Sequence, residues 1–351
     1  MLRLTLKNIW AHKMRLLLSM LSIFLGVAFL SGTLVFTSTI EKSFNDLFTS
    51  VYKKTDAIVR VQKEEGSEFD ENKKVGTVPK SVLADIQAIP DIAEAEGSID
   101  NYNVGALVVI DKEGKRIFPL QGPPTFGAAI SKSEVLSPWL YVGEKGQNLT
   151  PAETAKIELA DNEILVDKST ADAQDFKVGS KVKIVTDTDI REYTIKGFMR
   201  FGTADGFGRT ANFFFNEKQA GEIFNQVDEY SAISIDAKPG VSQDAVTKEI
   251  KKVLAAKYGD KYEVKTGEEL IKESQKVVET IFNFFTIFLL VFAAISFLVA
   301  LIIIINSFAI IMTQRKREYA LLRAIGATGS QIRRSVLGES ILVGLIASTF
   351  G

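Results

Sequence analysis

Two long apolar runs divide the chain, and each is long enough to cross a membrane. Residues 16–40 carry no charged side chain, and residues 280–314 form a run of thirty-five positions without one. A span needs about 20 apolar residues to cross a hydrocarbon core about 30 Å thick. The pattern therefore predicts one transmembrane span over residues 16–37 and a second over residues 281–312.

Each apolar run also has an alternative interpretation in which it is not a membrane span of the mature protein. A cleaved signal peptide would explain the first run, but such peptides have apolar regions of about 7–15 residues. This run is longer, and no convincing small-x-small cleavage site follows it. A buried core helix would explain the second run, but it would have to contain the stretch LVALIIII and stay uncharged throughout. We therefore favour two membrane spans.

Helical periodicity continues from both runs into the middle of the chain. After the first run, apolar residues recur at helical spacing and predict a stalk helix over 38–54. Before the second run, Thr266 and Glu269 have the spacing of a capping box, which predicts a stalk helix over 266–280. From its start to Met312 this helix would measure about 69 Å, more than twice the bilayer core. The alternative is that each helix folds back onto the middle domain.

Residues 55–265 alternate between strand-like and helix-like segments. The expected fold class is therefore a set of α-helical membrane spans with an inserted mixed α/β extracytoplasmic domain on helical stalks. The predicted strands are 56–62, 104–111, 163–167, 181–186, 191–199, 211–216 and 231–237, and the predicted helices are 79–89, 216–227 and 242–259, the last ending at Gly259.

The charges on either side of the apolar runs predict an orientation. Residues 1–40 hold four basic residues and no acid, and residues 313–334 hold six basic residues and one acid. Residues 41–312 hold 41 acidic and 32 basic residues. Short segments rich in Lys and Arg stay on the cytoplasmic side. We therefore expect a cytoplasmic N-terminus, with residues 1–15 as a helix in the inner interface, and residues 41–279 outside the cell.

The chain offers little catalytic chemistry. It has no Gly-Lys-Ser/Thr phosphate loop, no His-Glu-x-x-His motif and no cysteine, so neither ATP hydrolysis nor a zinc site is supported. The acidic stretch 186–189 favours a solvated turn, and the glycine-rich stretch 201–210 favours a mobile loop over a substrate contact. We expect no cofactor, no metal and no nucleic-acid partner, and we do not expect an enzyme.

The basic segment 313–334 is too short for a domain but long enough for two short helices. Good helix formers lead up to Gly326, which is placed to end the first helix, and Ser330 is a plausible cap for the next. The segment could be an interfacial anchor held by anionic lipid, or it could contact a partner. The residues alone leave both interpretations open.

The stretch RKREYALLRAIGATGSQIRR resembles the cytoplasmic segment of the FtsX-like (MacB-type) permeases of ATP-binding cassette (ABC) transporters. That family carries a run of the form R-x-R-E-x-[AG]-L-L-R-A-[LI]-G-A-[ST]. The first span and the outer domain are also similar to the family, so the resemblance covers nearly the whole chain. The matching positions are Arg315, Arg317, Glu318, Leu321, Leu322, Arg323, Ala324, Ile325, Gly326 and Ala327.

The resemblance implies that residues 313–334 form a coupling helix that docks on a separate cytoplasmic ABC ATPase subunit, which would bind the ATP. It also implies a second permease copy or half, contact with membrane lipid and a place in the bacterial cell membrane. In such a permease the stalk helices would pass motion to the outer domain. The implied coupling residues are Arg317, Glu318, Tyr319, Leu321, Leu322, Arg323, Ala324, Ile325, Gly326 and Ala327.

The family has at least four spans, whereas the third apolar run, residues 335–351, has seventeen residues. We therefore expect residues 335–351 to begin a third span and the chain to be the N-terminal part of a longer permease. The expected function is that of a permease subunit for export, extraction or mechanotransmission. The alternative is a two-span anchored extracytoplasmic binding protein without an ATPase partner. A membrane-tethered enzyme has no support from catalytic groups.

Overall fold

The computed structural model describes residues 13–62, 76–101, 107–111, 113–117, 125–143, 145–185, 190–206 and 210–350. Its helices are α1 (Lys13–Val51), α2 (Lys80–Gln87), α3 (Pro151–Thr154), α4 (Lys168–Ala173), α5 (Glu217–Phe224), α6 (Gln243–Tyr258), α7 (Gly267–Gln314), α8 (Lys316–Ala324) and α9 (Gly329–Phe350). Its strands are β1 (Ala57–Val61), β2 (Val78–Pro79), β3 (Ile92–Ser98), β4 (Val108–Ile110), β5 (Thr125–Ala129), β6 (Trp139–Val142), β7 (Glu163–Asp167), β8 (Lys181–Val185), β9 (Ile190–Phe201), β10 (Ala211–Phe215), β11 (Glu229–Tyr230), β12 (Ala232–Ala237) and β13 (Tyr262–Thr266).

The chain divides into two compact units, and α1 and α7 contribute residues to both. The first unit comprises residues 1–44 and 276–351, and the second comprises residues 45–275. Among the described helices, α1 and α7 are long and apolar enough to cross a membrane. Residues 1–12, where an interfacial helix is predicted, lie outside the described residues, and the predicted third span falls on α9 and stays a prediction.

Within the first unit, α1 and α7 contact each other directly. The hydroxyl oxygens of Thr37 and Thr286 are 3.4 Å apart, and the ring centroids of Phe44 and Phe282 are 5.9 Å apart. Many other large apolar side chains of these helices are exposed, among them Ile295 at 53%. Exposed apolar side chains of this kind are compatible with lipid and costly in water.

The second unit is a mixed α/β domain, as predicted, and contains two main sheets. The small sheet has the strand order β13-β1-β12-β3 and is antiparallel throughout. The large sheet has the order β4-β8-β9-β7-β10-β5, with β6 paired to β9, and contains two parallel pairs. The seven predicted strands and three predicted helices each overlap an observed element of the same type. Strands β2, β3, β5, β6, β11 and β13 were not predicted.

Two apolar cores lie on opposite faces of the large sheet. Successive side chains of a strand point to opposite faces, so Phe213 and Phe215 join the main core while Phe214 joins the second core. The main core also includes residues of the small sheet and of α2 and α6. The second core contains Ile130, Trp139, Leu165, Met199, Phe201 and Phe214.

The start of α7 is fixed by hydrogen bonds at its first turn. The Thr266 N–H donates to the Glu269 carboxylate at 2.8 Å, and the Glu269 N–H donates to the Thr266 hydroxyl at 3.1 Å, which confirms the predicted capping box. The Gly267 N–H donates to the Asp56 carbonyl oxygen at 3.0 Å. A Cβ on Gly267 would lie 1.8 Å from the Thr55 carbonyl oxygen, so only glycine fits.

An ion-pair network ties the next turn of α7 to the small sheet. The Arg60 guanidinium binds Glu263 at 2.8 Å and both carboxylate oxygens of Glu273 at 2.7 and 2.8 Å. Lys265 pairs with the same two acids at 2.9 Å. Burial pushes the pKa of Glu273 upward, but hydrogen bonds from Arg60 and Lys265 outweigh it and hold that pKa below its usual value. The Glu263 pKa is lowered by the same balance.

Replacing Arg60 with methionine should destabilise the second unit and change its acid response. We expect Arg60→Met to lower the unfolding free energy at neutral pH by about 2 kcal/mol, because it leaves two half-buried carboxylates with only one of their two cationic partners, Lys265. Because both acids have folded pKa values below 4.5, their contribution is complete above pH 4.5 and is lost as the pH falls through those values. The difference between variant and parent should therefore shrink below pH 4.5.

The measurement is denaturant unfolding followed by Trp139 fluorescence in a Trp10→Phe background, which leaves Trp139 as the sole tryptophan. Arg191→Met is the control, because the Arg191–Glu222 pair is exposed at 42% and 40%. Exposed pairs contribute about 0–1 kcal/mol. An Arg60 variant that behaves like the control across the pH range would contradict the role of the network.

Candidate functional site

The predicted coupling segment begins where α7 ends. Gln314 is the last residue of α7, and Arg315 leaves the helical conformation with φ −88° and ψ 5° before α8 starts at Lys316. Arg315 is 4% exposed, and its carbonyl oxygen accepts from the Tyr319 N–H at 3.0 Å. The chain therefore leaves the long helix at a buried arginine and immediately forms a short separate helix.

Helix α8 ends at Ala324 with Ile325 as its C-cap, and Gly326 follows directly, where the sequence predicted the helix end. Gly326 has φ +102°, and its N–H donates to the Arg323 carbonyl oxygen at 3.1 Å. The Ala327 N–H donates to the Leu322 carbonyl oxygen at 2.9 Å. These two bonds form a Schellman motif, which satisfies carbonyl groups that the helix end would leave unpaired.

The cap of the next helix is Thr328, so the prediction of Ser330 as the cap was wrong. The Gln331 N–H donates to the Thr328 hydroxyl at 3.4 Å, and the Thr328 N–H donates to the Gln331 side-chain oxygen at 2.9 Å. A capping residue precedes the helix, whereas Ser330 already lies within α9, which begins at Gly329. Two local hydrogen-bond motifs therefore define the turn between α8 and α9.

The coupling residues that the resemblance implied differ in exposure. Leu321 and Ile325, one helical turn apart, are exposed at 68% and 82%. Arg317 lies one turn before Leu321 and is also exposed. The exposed members are Arg317, Glu318, Leu321, Arg323, Ala324, Ile325 and Gly326, and the half-buried members are Tyr319, Leu322 and Ala327.

The exposed face of α8 offers apolar contact area with charges of mainly positive sign around it. We call Arg317, Leu321, Ala324 and Ile325 the outer face, since they follow the i, i+4, i+7, i+8 spacing of one helix side. Tyr319 and Leu322 share the other side of α8 with Arg315 and are half-buried. The outer face is therefore the part of the segment whose large side chains are available to a partner.

The other stretches that the sequence singled out are described only in part. The acidic stretch 186–189 and residues 207–209 of the glycine-rich stretch lie outside the described residues. Within the described part of the chain, no group of three His, Cys, Asp or Glu side chains could hold a metal ion. The buried Asp167 carboxylate accepts from Ser169, Thr170 and the Asn212 N–H, so it serves the start of α4.

A cleft of about 540 Å³ in the second unit was missed by the sequence analysis. Ile58, Arg60 and Ser234 of the small sheet line it, together with Met199 and Phe214 of the large sheet. These residues lie far apart in the sequence and meet only through strand pairing. No local motif could therefore have indicated the cleft.

Comparisons with known proteins agree with the resemblance found in the sequence. The model of the MacB-like periplasmic core domain matches residues 16–253, and that of the FtsX-like permease C-terminal region matches residues 290–351. An uncharacterized ABC transporter permease of Methanocaldococcus jannaschii is 29% identical over 180 residues, which cover 51% of this chain and 42% of that protein. A probable export ATP-binding/permease protein MacB of Pseudomonas entomophila is 29% identical over 38% of this chain and 20% of its own length.

The chain thus spans less than half the length of these curated relatives. Among solved structures, the periplasmic region of MacB from Actinobacillus actinomycetemcomitans aligns over 62% of this chain and 92% of its own, with 9% identity and a TM-score of 0.43. A TM-score below 0.5 supports no assignment, so the match rests on sequence.

Replacing Gly326 with alanine should loosen the end of α8. A non-glycine residue in the left-handed region costs about 1–2 kcal/mol, and the added Cβ meets no atom within 4 Å, so the effect is conformational. We expect the amides at positions 326 and 327 to exchange about tenfold faster with deuterium. The control is Gly338→Ala within α9, where a Cβ also meets nothing. Equal exchange in both variants would contradict the role of the motif.

Proposed function

The chain belongs to the family of FtsX-like ABC transporter permeases with a MacB-like periplasmic core domain, and we propose that it is the permease subunit of an ABC transporter complex. In this proposal a separate cytoplasmic ATPase docks on residues 313–334. ATP-driven motion then reaches the extracytoplasmic domain through α1 and α7. The work done there is export or extraction of a substrate, or transmission of a mechanical signal.

The observation that carries the proposal is the outer face of α8. Leu321 and Ile325 expose most of their apolar surface on a helix whose C-terminal end is fixed by the Schellman hydrogen bonds at Gly326 and Ala327. A short amphipathic helix presenting such anchors fits a groove on a partner protein. Arg317 and Arg323 add positive charge, which supports recognition of an acidic rim.

In this proposal the nucleotide site lies outside these 351 residues, which carry no phosphate-binding loop. No Gly-x-x-x-x-Gly-Lys-Ser/Thr sequence occurs in these 351 residues. The relatives include one named as a permease and others named as joined ATP-binding/permease proteins. A permease chain without that loop requires the nucleotide site to be supplied by another domain or subunit.

The proposed location is the bacterial cell membrane, with the N-terminus and residues 313–334 in the cytoplasm and residues 41–279 outside. The distribution of Lys and Arg around the apolar runs supports this orientation. The exposed apolar side chains of α1 and α7 would contact lipid or a second permease copy or half. Small residues such as Gly26 and Gly32, where a Cβ would meet nothing within 4 Å, leave room for close helix packing.

The competing function is that of a two-span anchored extracytoplasmic binding protein without an ATPase. The cleft in the second unit favours it, because a volume of about 540 Å³ lies in the usual range of ligand sites, about 300–1,000 Å³. Such an anchor would not require the exposed apolar face of α8.

Removing the two exposed anchors should abolish ATPase binding. We expect Leu321→Ser combined with Ile325→Ser to prevent co-purification of an ATPase encoded beside this chain, because the apolar contact is lost. The matched control is Lys316→Ser with Ala320→Ser, which has the same spacing on the same helix and is also exposed. Membrane insertion should be normal in both. Retained co-purification of the first variant would show that the ATPase does not dock on the outer face, and failure of the parent chain to co-purify an ATPase would favour the anchored binding protein.

Thiol labelling should report the orientation directly, because the chain has no cysteine. In intact cells, a membrane-impermeant maleimide should label Lys251→Cys on α6 and leave Arg323→Cys on α8 unlabelled until the cells are opened. Both parent residues are exposed, so neither site is hidden by the fold. Labelling of both variants from outside would remove the proposed coupling to a cytoplasmic ATPase.

A further inference from the structure

The last turns of α1 and the first turns of α7 are connected in the chain to adjacent strands of the small sheet. Helix α1 precedes β1, and α7 follows β13. Strand β1 pairs with β13, with Ala57 opposite Thr266. Helix α7 follows β13 without a gap, and α1 ends at Val51, six residues before β1. The hydrogen bond between the Gly267 N–H and the Asp56 carbonyl oxygen closes this junction at 3.0 Å. Both helices are therefore rooted at one end of the same strand pair.

The root of α7 is attached rigidly to the small sheet. Its capping box fixes the first turn, Leu270 is 8% exposed, and Glu273 receives two hydrogen bonds from Arg60 of β1. Arg60 also binds Glu263 of β13 through Nε, so one guanidinium joins α7 to two strands of the small sheet by charge-assisted hydrogen bonds. Any movement of this part of α7 must carry the small sheet with it.

The end of α1 rests on the other sheet. Leu47 and Val51 pack against the second core of the large sheet. The turn that follows β9 offers Gly202 at this contact, where an added Cβ would lie 3.1 Å from Val51 Cγ2 and 3.7 Å from Leu47 Cδ1. We call this contact the seat of α1. It is apolar and lacks ion pairs among the described residues, unlike the root of α7.

The cleft lies between the large sheet, which the end of α1 contacts, and the small sheet, which the start of α7 contacts. Its small-sheet wall includes Ile58 and Ser234, which face each other across β1 and β12, and its large-sheet wall includes Trp139, Met199 and Phe214. Tyr52, just beyond α1, and Leu270 of α7 also line it. Side chains that border the cleft lack partner atoms across it, whereas the main core joins the two sheets away from the cleft.

Elsewhere along the cleft, hydrogen bonds join the two sheets. Glu96 of β3 accepts from the Ser131 hydroxyl and from the N–H groups of Lys132 and Ser133, which follow β5. The Ala129 N–H of β5 donates to the Ile99 carbonyl oxygen at 2.7 Å. These bonds connect the sheets at β3 and β5, so relative rotation about this connection would change the width of the cleft.

We propose that the end of α1 acts as a lever that sets the distance between the two sheets. It presses on the large sheet at the seat, next to Gly202, while α7 stays fixed to the small sheet. A displacement of α1 relative to α7 would press or release the large sheet and so close or open the cleft. The inference rests on the proposed function only for the source of that displacement, the cytoplasmic ATPase.

The test measures the distance between the sheets in the full chain without ATPase or nucleotide. Spin labels are placed at Lys261→Cys, next to β13, and at Lys183→Cys on β8, both exposed positions in a chain that has no other cysteine. Gly202→Ala adds volume at the seat, and Val51→Ala removes volume there. The control is Gly146→Ala, which has the same left-handed strain at φ +78° but an open Cβ position.

We expect the two seat variants to shift the mean label distance in opposite directions and the control to leave it unchanged. Trp139 emission, which reports the second core, verifies that each variant is folded. If Gly202→Ala fails to fold, Val51→Ala alone must still shift the distance. Distances equal to the parent in folded seat variants would overturn the lever. Because no ATPase is present, that result would leave the proposed function standing, and a failure of ATPase binding would leave the distance measurement valid.

Discussion

The antiparallel pairing of β1 with β13 is the constraint on which the rest of the structure depends. The two strands are about two hundred positions apart in the chain, yet their pairing brings the end of α1 and the start of α7 together. The short contact at Gly267 leaves no room for a side chain and sets the spacing of the two helices at this point. The chain enters β1 from α1 and leaves β13 into α7 at this end of the strand pair.

Charged side chains stabilise the start of α7, whereas backbone hydrogen bonds determine the shape of the segment around α8. The surroundings of each part explain which kind of interaction it uses. The charged network of Arg60, Glu263, Lys265 and Glu273 lies outside the predicted spans, where water can stabilise its exposed edges. The α8 segment has large side chains exposed rather than buried, so its shape depends on backbone motifs at Gly326 and Thr328. Such motifs need no tertiary core, which leaves the outer face available to another protein.

The features that the sequence predicted correctly are those that depend on interactions between residues close together in the chain. The alternating strands such as residues 181–186, the capping box at Thr266 and the helix end at Gly326 all follow from patterns within a few residues. The error at Ser330 was also local, since Thr328 with Gln331 three residues later is the better capping box. Strands β3 and β5 were missed because Ala, Gly and Glu give them little strand propensity, and pairing with distant strands stabilises them. The cleft and the Arg60–Glu273 pair are non-local and had no sequence signal.

The contrast between the two long helices explains why one suits a fixed reference and the other a lever. Helix α7 contains neither glycine nor proline after its first residue, so nothing in its sequence favours a kink. Its root carries charge-assisted hydrogen bonds from Arg60 Nη2 to both oxygens of Glu273. Helix α1 contains Gly26 and Gly32, and its end rests on apolar contacts, which have no preferred direction and permit small sliding displacements. A device that converts helix displacement into a change of the cleft needs the two helices to contact different sheets, because two attachments to one sheet would move that sheet alone and would not act on the other wall.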